Sequence, residues 1–249
     1  MLIAAFETTG KNASAALIDE NEKLTVARSD EQMNHLKDIL VLGQKCCEMA
    51  GVTPQDITHA AASVGPGSFT GIRIGVTTAR TVAQALCTPA IGVSSLEGMA
   101  LEVAKYAAEK EIRYVCPLIN ARRNQTYSAI YRVEDGMPVL HTKDKQYMID
   151  EILGKVKELG EKILLTGDGS DSYLKVIEET LEADTYEIAP EEVRYPCAGS
   201  IARLALSRID QAGDYENLKP DYMRLSEAEQ RLKEGTLSKR IRGESEWDL

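Results

Sequence analysis

The order of apolar runs in this chain occurs twice. From the N-terminus, LIAAF, ASAALI and KLTVAR are short apolar runs, separated by the turn-rich ETTGKN and the polar DENE. They predict three consecutive strands. A helix is predicted over about 30–50, stopped by Gly51. ITHAAASVG predicts a fourth strand, and a second helix follows over about 70–86, ended before Pro89. SSLEGMALEVAKYAAEKE predicts a third helix, with Ser94 and Glu97 spaced as a capping box. The plan then recurs. RYVCPLI, TYSAIYRV and MPVLHT predict strands around the loop NARRNQ and the turn EDG. DEILGKVKELGEK predicts a helix, ILLTG a strand, SDSYLKVIEETLEA a helix and TYEIA a strand. AGSIARLALSRIDQAG predicts a last helix.

Setting Asn120 against Glu7, a shift of 113 positions, also sets Ala129 against Ala16 and overlays the two three-stranded meanders. GPGS (Gly65 to Ser68) follows the fourth strand of the first half, and GDGS (Gly167 to Ser170) that of the second. An internal repeat of this kind decides the fold before any motif does. The order β-β-β-α-β-α, given twice, predicts an α/β protein of the actin-like, sugar-kinase and Hsp70 ATPase architecture, built from two duplicated lobes. The expected lobes are residues 1–100 and 101–194. A helix within about 195–225 returns to the first lobe, and 227–249 forms a charged extension.

The charge balance narrows the function. The net charge is −10, whereas a protein that holds nucleic acid alone presents a basic surface. Nucleic acid is therefore expected only through a partner. MLIAAFETTG lacks the basic start and apolar run of a signal peptide, and no stretch approaches about 18 apolar residues. A cytoplasmic, non-membrane protein is expected. The five cysteines form no C-x-x-C and read as buried small hydrophobes in a reducing compartment. The three histidines make no H-x-x-x-H or H-E-x-x-H, so no metal site is expected.

In this fold a nucleotide lies between the lobes, held by hairpin-loop groups. The first loop offers Glu7, Thr8, Thr9 and Gly10, a weak, vestigial nucleotide site. The matching NARRNQ has no carboxylate, glycine or hydroxyl; its Arg122 and Arg123 suit either an anion or plain solvent. The glycines of SVGPGSFTGIRIGVTTAR are neither a Walker loop, for no Lys-Ser or Lys-Thr follows, nor a dinucleotide fingerprint. No nucleophile can be assigned, so no catalytic residue is expected.

Two helices carry more apolar surface than one sheet requires. At about 100° per residue, the apolar sectors of 33–50 and 71–86 each span roughly 200°, where about 100° would cover a sheet. Gly71, Gly75 and Ala79 form a small-residue strip expected to let another helix approach. Mutual packing explains part of this surface, and a partner interface is expected for the rest. Its residues are His35, Leu36, Ile39, Leu40, Gly43, Gly71, Ile72, Ile74, Gly75, Thr78, Ala79 and Val82.

SVGPGSFTGIRIGVTTAR, SSLEGMA, NARRNQTYSAIYR and KPDYMR together resemble the TsaB (YeaZ) family of tRNA threonylcarbamoyladenosine biosynthesis over about residues 1–226. The resemblance implies a non-catalytic subunit, a pseudo-enzyme that pairs with a TsaD-type catalytic subunit and works with a TsaE-type ATPase on adenosine 37 of tRNA. It implies a homodimer when the chain is alone, and in both dimers a four-helix bundle from helices 33–50 and 70–86. It implies no cofactor of the chain's own, with ATP or ADP and magnesium left to the partner complex. Glu7 and Asn120 stand where the family commonly has Asp, which counts against magnesium binding here. The alternatives are an autonomous ATP-dependent kinase or hydrolase of the same fold, and a glycoprotease-like peptidase.

Overall fold

The computed structural model describes residues 1–29 and 34–223. Residues 30–33 of the expected first helix, and the charged extension 227–249, lie outside the described residues. The first half runs β1 (Leu2–Glu7), β2 (Ser14–Asp19), β3 (Leu24–Arg28), α1 (His35–Ala50), β4 (His59–Gly65), α2 (Phe69–Leu86), β5 (Ala90–Ser94) and α3 (Ser95–Glu109). The second runs β6 (Tyr114–Asn120), β7 (Gln125–Ser128), β8 (Tyr131–Glu134), β9 (Met137–Leu140), β10 (Lys145–Met148), α4 (Ile149–Leu159), β11 (Ile163–Thr166), α5 (Asp168–Ser172), α6 (Leu174–Thr180), β12 (Tyr186–Ile188), α7 (Glu191–Arg194) and α8 (Ala198–Ser207).

The two sheets share one topology. The first has the order β3-β2-β1-β4-β5 and the second β10-β7-β6-β11-β12. In each, the first strand pairs antiparallel with a hairpin neighbour and parallel with the strand after the helices. Strands β1 and β2 read as near-continuous apolar runs because both their faces are covered. Ala4, Phe6, Ala15 and Leu17 face Ile39, Leu42, Cys46, Ile72, Val76 and Ala79 of α1 and α2. Ile3, Ala5, Ala16 and Ile18 face Ile201, Ala202, Leu204 and Ala205 of α8. Helix α3 lays Leu96, Met99, Val103 and Ala107 on the second sheet, against Val115, Ile119 and Leu164. The far face of that sheet is covered by α4 and α6 through Ile152, Leu153, Val156 and Ile177.

Three local expectations are corrected. TYSAIYRV is not one strand: it breaks at Ala129–Ile130 into β7 and β8, both on β6. The Ile130 carbonyl accepts from the His141 and Thr142 N–H groups, and its N–H donates to the Thr142 hydroxyl. The edge strand is split to match, MPVLHT supplying β9 beside β8 and the unanticipated KQYM supplying β10 beside β7. The 113-residue shift holds as far as Asn120 and Glu7, which end equivalent strands. Beyond them Glu7 pairs with Ser14 but Asn120 pairs with Thr126, so the second loop is one residue shorter. The Ser94–Glu97 capping box does not form. Ser94 makes no side-chain cap bond, and the Glu97 carboxylate is held by both terminal nitrogens of Arg208.

Past α8 the chain returns over both halves. Leu218 enters the core of the first sheet, and Met223 packs on the cluster around α3 and the second sheet. Between them the Asp221 N–H donates to the Val64 carbonyl at 2.8 Å.

Candidate functional site

A cleft of about 740 Å³ opens between the two sheets. Its walls are the two hairpin loops, Thr9–Gly10–Lys11 on one side and Asn120 to Arg123 on the other. The turn at Pro66 to Phe69, Asp168, Tyr195 and Pro196, and the returning Asp221 to Met223 complete it.

The first loop is engaged with its own fold. Glu7 is fully buried and does not line the cleft. The Thr9 N–H and hydroxyl both donate to its Oε1 at 2.5 Å, while Oε2 has no partner. Burial pushes the Glu7 carboxyl up, and the Thr9 hydrogen bonds pull it partly back. The Thr8 hydroxyl donates to the Gly71 carbonyl at 2.7 Å. The Thr9 carbonyl accepts from the Ser68 N–H at 3.1 Å, and the Gly10 carbonyl lies 3.0 Å from His35 Nε2. A phosphate loop needs free donors and an exposed carboxylate. Glu7, Thr8 and Thr9 supply neither, so they do not fit a magnesium–phosphate group.

The same contacts correct the reading of the glycines. A Cβ at Gly71 would lie 2.0 Å from the Thr8 carbonyl oxygen, and one at Gly75 would lie 2.6 Å from Thr8 Oγ1. These glycines admit the end of β1 from within the same half of the chain; they are not a bed for a helix of another chain. Ala79 lies in the same buried row.

Of the remaining expected interface residues, His35, Ile39 and Ile72 are buried. Gly43, Ile74, Thr78 and Val82 are half-buried. Leu36 is 76% exposed and Leu40 59%. At about 100° per residue, Leu36, Leu40 and Gly43 fall within roughly 60° beside the buried stripe of α1. Ile74, Thr78 and Val82 fall within roughly 80° on α2. The two helices cover the same face of the first sheet and touch each other. Val41, at 63%, and Met49, at 58%, are exposed on other sides of α1.

The second loop is rigid at its base. The Asn120 carboxamide accepts from the Arg122 N–H and the Tyr173 hydroxyl, and donates to Ser172. Arg122, Arg123 and Asn124 all have positive φ. Asp168 accepts from the Asn120 N–H at 3.1 Å, and its carboxyl is pushed up by burial. The sequence reading missed Lys11, Asp168 and the returning segment as parts of the cleft. Phe69 and Tyr222 stack at 4.7 Å, with the Arg73 guanidinium 4.1 Å over Phe69 and its Nε donating to the Tyr222 hydroxyl. KPDYMR was the available signal, an aromatic between charged residues far from any strand. Among the described residues no group of three or more His, Cys, Asp and Glu could hold a metal ion. No described helix is long and apolar enough to cross a membrane.

Similarity to known proteins follows the same elements. The family model TsaD, tRNA N6-adenosine threonylcarbamoyltransferase, matches residues 29–232. The tRNA threonylcarbamoyladenosine biosynthesis protein TsaB of Bacillus subtilis (strain 168) is 30% identical, over 92% of this chain and 96% of its own. The chain belongs to the TsaB (YeaZ) family. The TsaB of Escherichia coli (strain K12) is 28% identical over 93% of this chain and 98% of its own. A Pseudomonas aeruginosa structure, described as having similarity to peptidase YeaZ, superposes with a TM-score of 0.76 at 22% identity, covering 90% of this chain and 99% of that one. That likeness shows that the two chains share one fold. Within the TsaB frame, the stripe on α1 and α2 and the inter-sheet cleft are the two surfaces left to explain.

Proposed function

We propose that this chain is a non-catalytic scaffold and activator in bacterial N6-threonylcarbamoyladenosine synthesis at tRNA position 37. It pairs with a TsaD-type catalytic subunit and works with a TsaE-type ATPase, and it forms a homodimer when alone. tRNA meets it through that complex. The carrying observation is the apolar stripe of Leu36 and Leu40 on α1, continued by half-buried Ile74 and Val82 on α2. Apolar residues that stay exposed on one helix and half-buried on a helix touching it mark a protein interface, and a helix pair docked on a helix pair buries such a stripe. The engaged donors of Thr8 and Thr9 support a subunit without a magnesium–phosphate site on its first loop.

The test is reconstitution of threonylcarbamoyl transfer with the catalytic subunit and the ATPase. Leu36→Glu with Leu40→Glu should abolish stimulation while the chain stays folded. Full stimulation by that variant, with unchanged pairing, would end the proposal. Gly75→Arg is unsuitable, since it strikes Thr8 inside the fold.

A further inference from the structure

Three consecutive residues of the first loop hold the starts of both stripe-bearing helices. The Thr8 hydroxyl donates to the Gly71 carbonyl at 2.7 Å, and the Thr9 carbonyl accepts from the N–H of Ser68, the N-cap of α2. Gly10 serves α1, for its carbonyl accepts from His35 Nε2–H at 3.0 Å. A carbonyl oxygen only accepts, so this bond places the ring hydrogen on Nε2. Gly10 lies close against the far side of the cleft, where a Cβ on it would stand 3.2 Å from Pro196 Cδ.

His35 is the first residue of α1 and is 5% exposed. The next residue, Leu36, is 76% exposed, and Leu40 stands one turn further on. The ring therefore sits where the buried side of α1 passes into the stripe. A second bond ties the same turn to the chain before it, from the Ser29 hydroxyl to the Asp38 carboxylate. The His35 bond differs in reaching the loop that also holds α2, so one short segment sets both helix starts.

Stability does not account for the ring. With the hydrogen on Nε2, Nδ1 of the neutral imidazole is an acceptor, and it is buried with no partner. An unmet buried acceptor costs at least as much as one neutral hydrogen bond contributes. A leucine there would give up the Gly10 bond and remove the unmet nitrogen together. Gly10 is half-buried and lines the cleft, so water can replace the lost donor. The net effect on folding is small, and the ring needs another reason.

We propose that His35 is a positioning residue for partner docking. Its ring ties the start of α1 to Gly10 and holds Leu36 and Leu40 in place beside Ile74 and Val82, without itself touching the partner. This rests on the scaffold reading and deepens it. Helix ends fray when they are not tied down. A first turn released from Gly10 must be ordered again by the partner, and that ordering is subtracted from the affinity.

Pairing of the full-length chain with a TsaD-type subunit, measured by titration calorimetry beside the Tm of each variant, tests it. His35→Leu should weaken pairing about tenfold and move Tm by no more than about 2 °C. His35→Gln, whose amide can donate to the same carbonyl, should recover part of the loss. In the transfer assay His35→Leu should raise the concentration needed for half-maximal stimulation and leave the plateau unchanged. Hydrogen exchange of the unpaired His35→Leu chain should be faster in the first turn of α1 and unchanged around Val82. Unchanged pairing in His35→Leu overturns the proposal. So does a fall in Tm that accompanies every loss of pairing, or a His35→Leu chain that does not fold, since the ring would then be structural. Leu36→Glu with Leu40→Glu separates the two readings. If that pair abolishes pairing and His35→Leu does not weaken it, the scaffold reading stands and this one falls; if neither affects pairing, both fall.

Discussion

The Thr8 hydroxyl donates to the Gly71 carbonyl across 2.7 Å, and the Gly71 Cα leaves no room for a methyl group against the Thr8 carbonyl. One threonine and one glycine thus set how closely α2 approaches the end of β1. Gly75 repeats the relationship one turn on, against the same Thr8 side chain.

This approach predicts opposite outcomes for two helical glycines. Gly71→Ala forces a backbone shift and should cost about 3 kcal/mol, at the upper end for overpacking. Gly154→Ala, in α4 with nothing within 4 Å of its added Cβ, should stabilise by up to about 1 kcal/mol. Urea unfolding of both variants checks the pair. Equal effects would show that glycine propensity, and not the Thr8 contact, governs Gly71.

Glu7 gives stability a pH dependence of definite sign. Its folded carboxyl is raised above the ordinary 4.5 by burial, so the folded state holds that proton more tightly than the unfolded chain. A raised acid favours folding below 4.5 and loses that contribution as pH rises through its folded value. Glu7→Gln cannot titrate and should gain on the wild type across that window. Urea melts at stepped pH, read as the difference between the two proteins, measure it. A difference independent of pH would contradict the assignment.

Four of the five cysteines should be unreactive in the native protein. Burial pushes the Cys46 thiol up to about 11 and Cys116 to about 12, and also raises Cys47 and Cys197. Cys87 is exposed at the end of α2. A thiolate reagent at neutral pH should add one label to the folded chain and five after unfolding. Mass spectrometry of the intact protein counts them.

Docking should separate from stability. Leu40→Glu exposes no core and should change folding stability by no more than about 0.5 kcal/mol. Removing a central apolar anchor weakens pairing by about 2 kcal/mol or more, roughly thirtyfold. Size-exclusion mass measurement of the chain, alone and with a TsaD-type subunit, reads the change directly.

The duplicated fold was legible because both faces of β1, β2 and β6 are covered, leaving apolar runs between polar turns. The break in TYSAIYRV was hidden. Nothing in Ala129 or Ile130 announces it, and it is completed by Thr142 from beyond the next hairpin. Glu97 shows the same limit: spacing offered it to Ser94, but Arg208, distant in sequence, holds it. The apolar excess of α1 and α2 was legible, and the structure divides it into a buried stripe and an outer edge. The role of Gly71 and Gly75 was not. A glycine in a helix reports that something comes close, and sequence spacing does not say whether that is Thr8 or another chain. The cleft was half legible, since Arg122 and Arg123 stood out, Lys11 lay unmarked in the first loop, and Tyr222 is brought in only by the returning chain.

Helix α8 closes a face formed by residues near the opposite end of the chain, since Ile3 and Ala5 share a core with Leu204 and Ala205. During synthesis, the first sheet can be complete in its pairing and still wet on one side until α8 has left the ribosome. A nascent chain ending after α3 would offer Ile18, Ile91 and Val93 to any passing apolar surface. Its window of vulnerability to aggregation is thus set by the time taken to translate the entire second half.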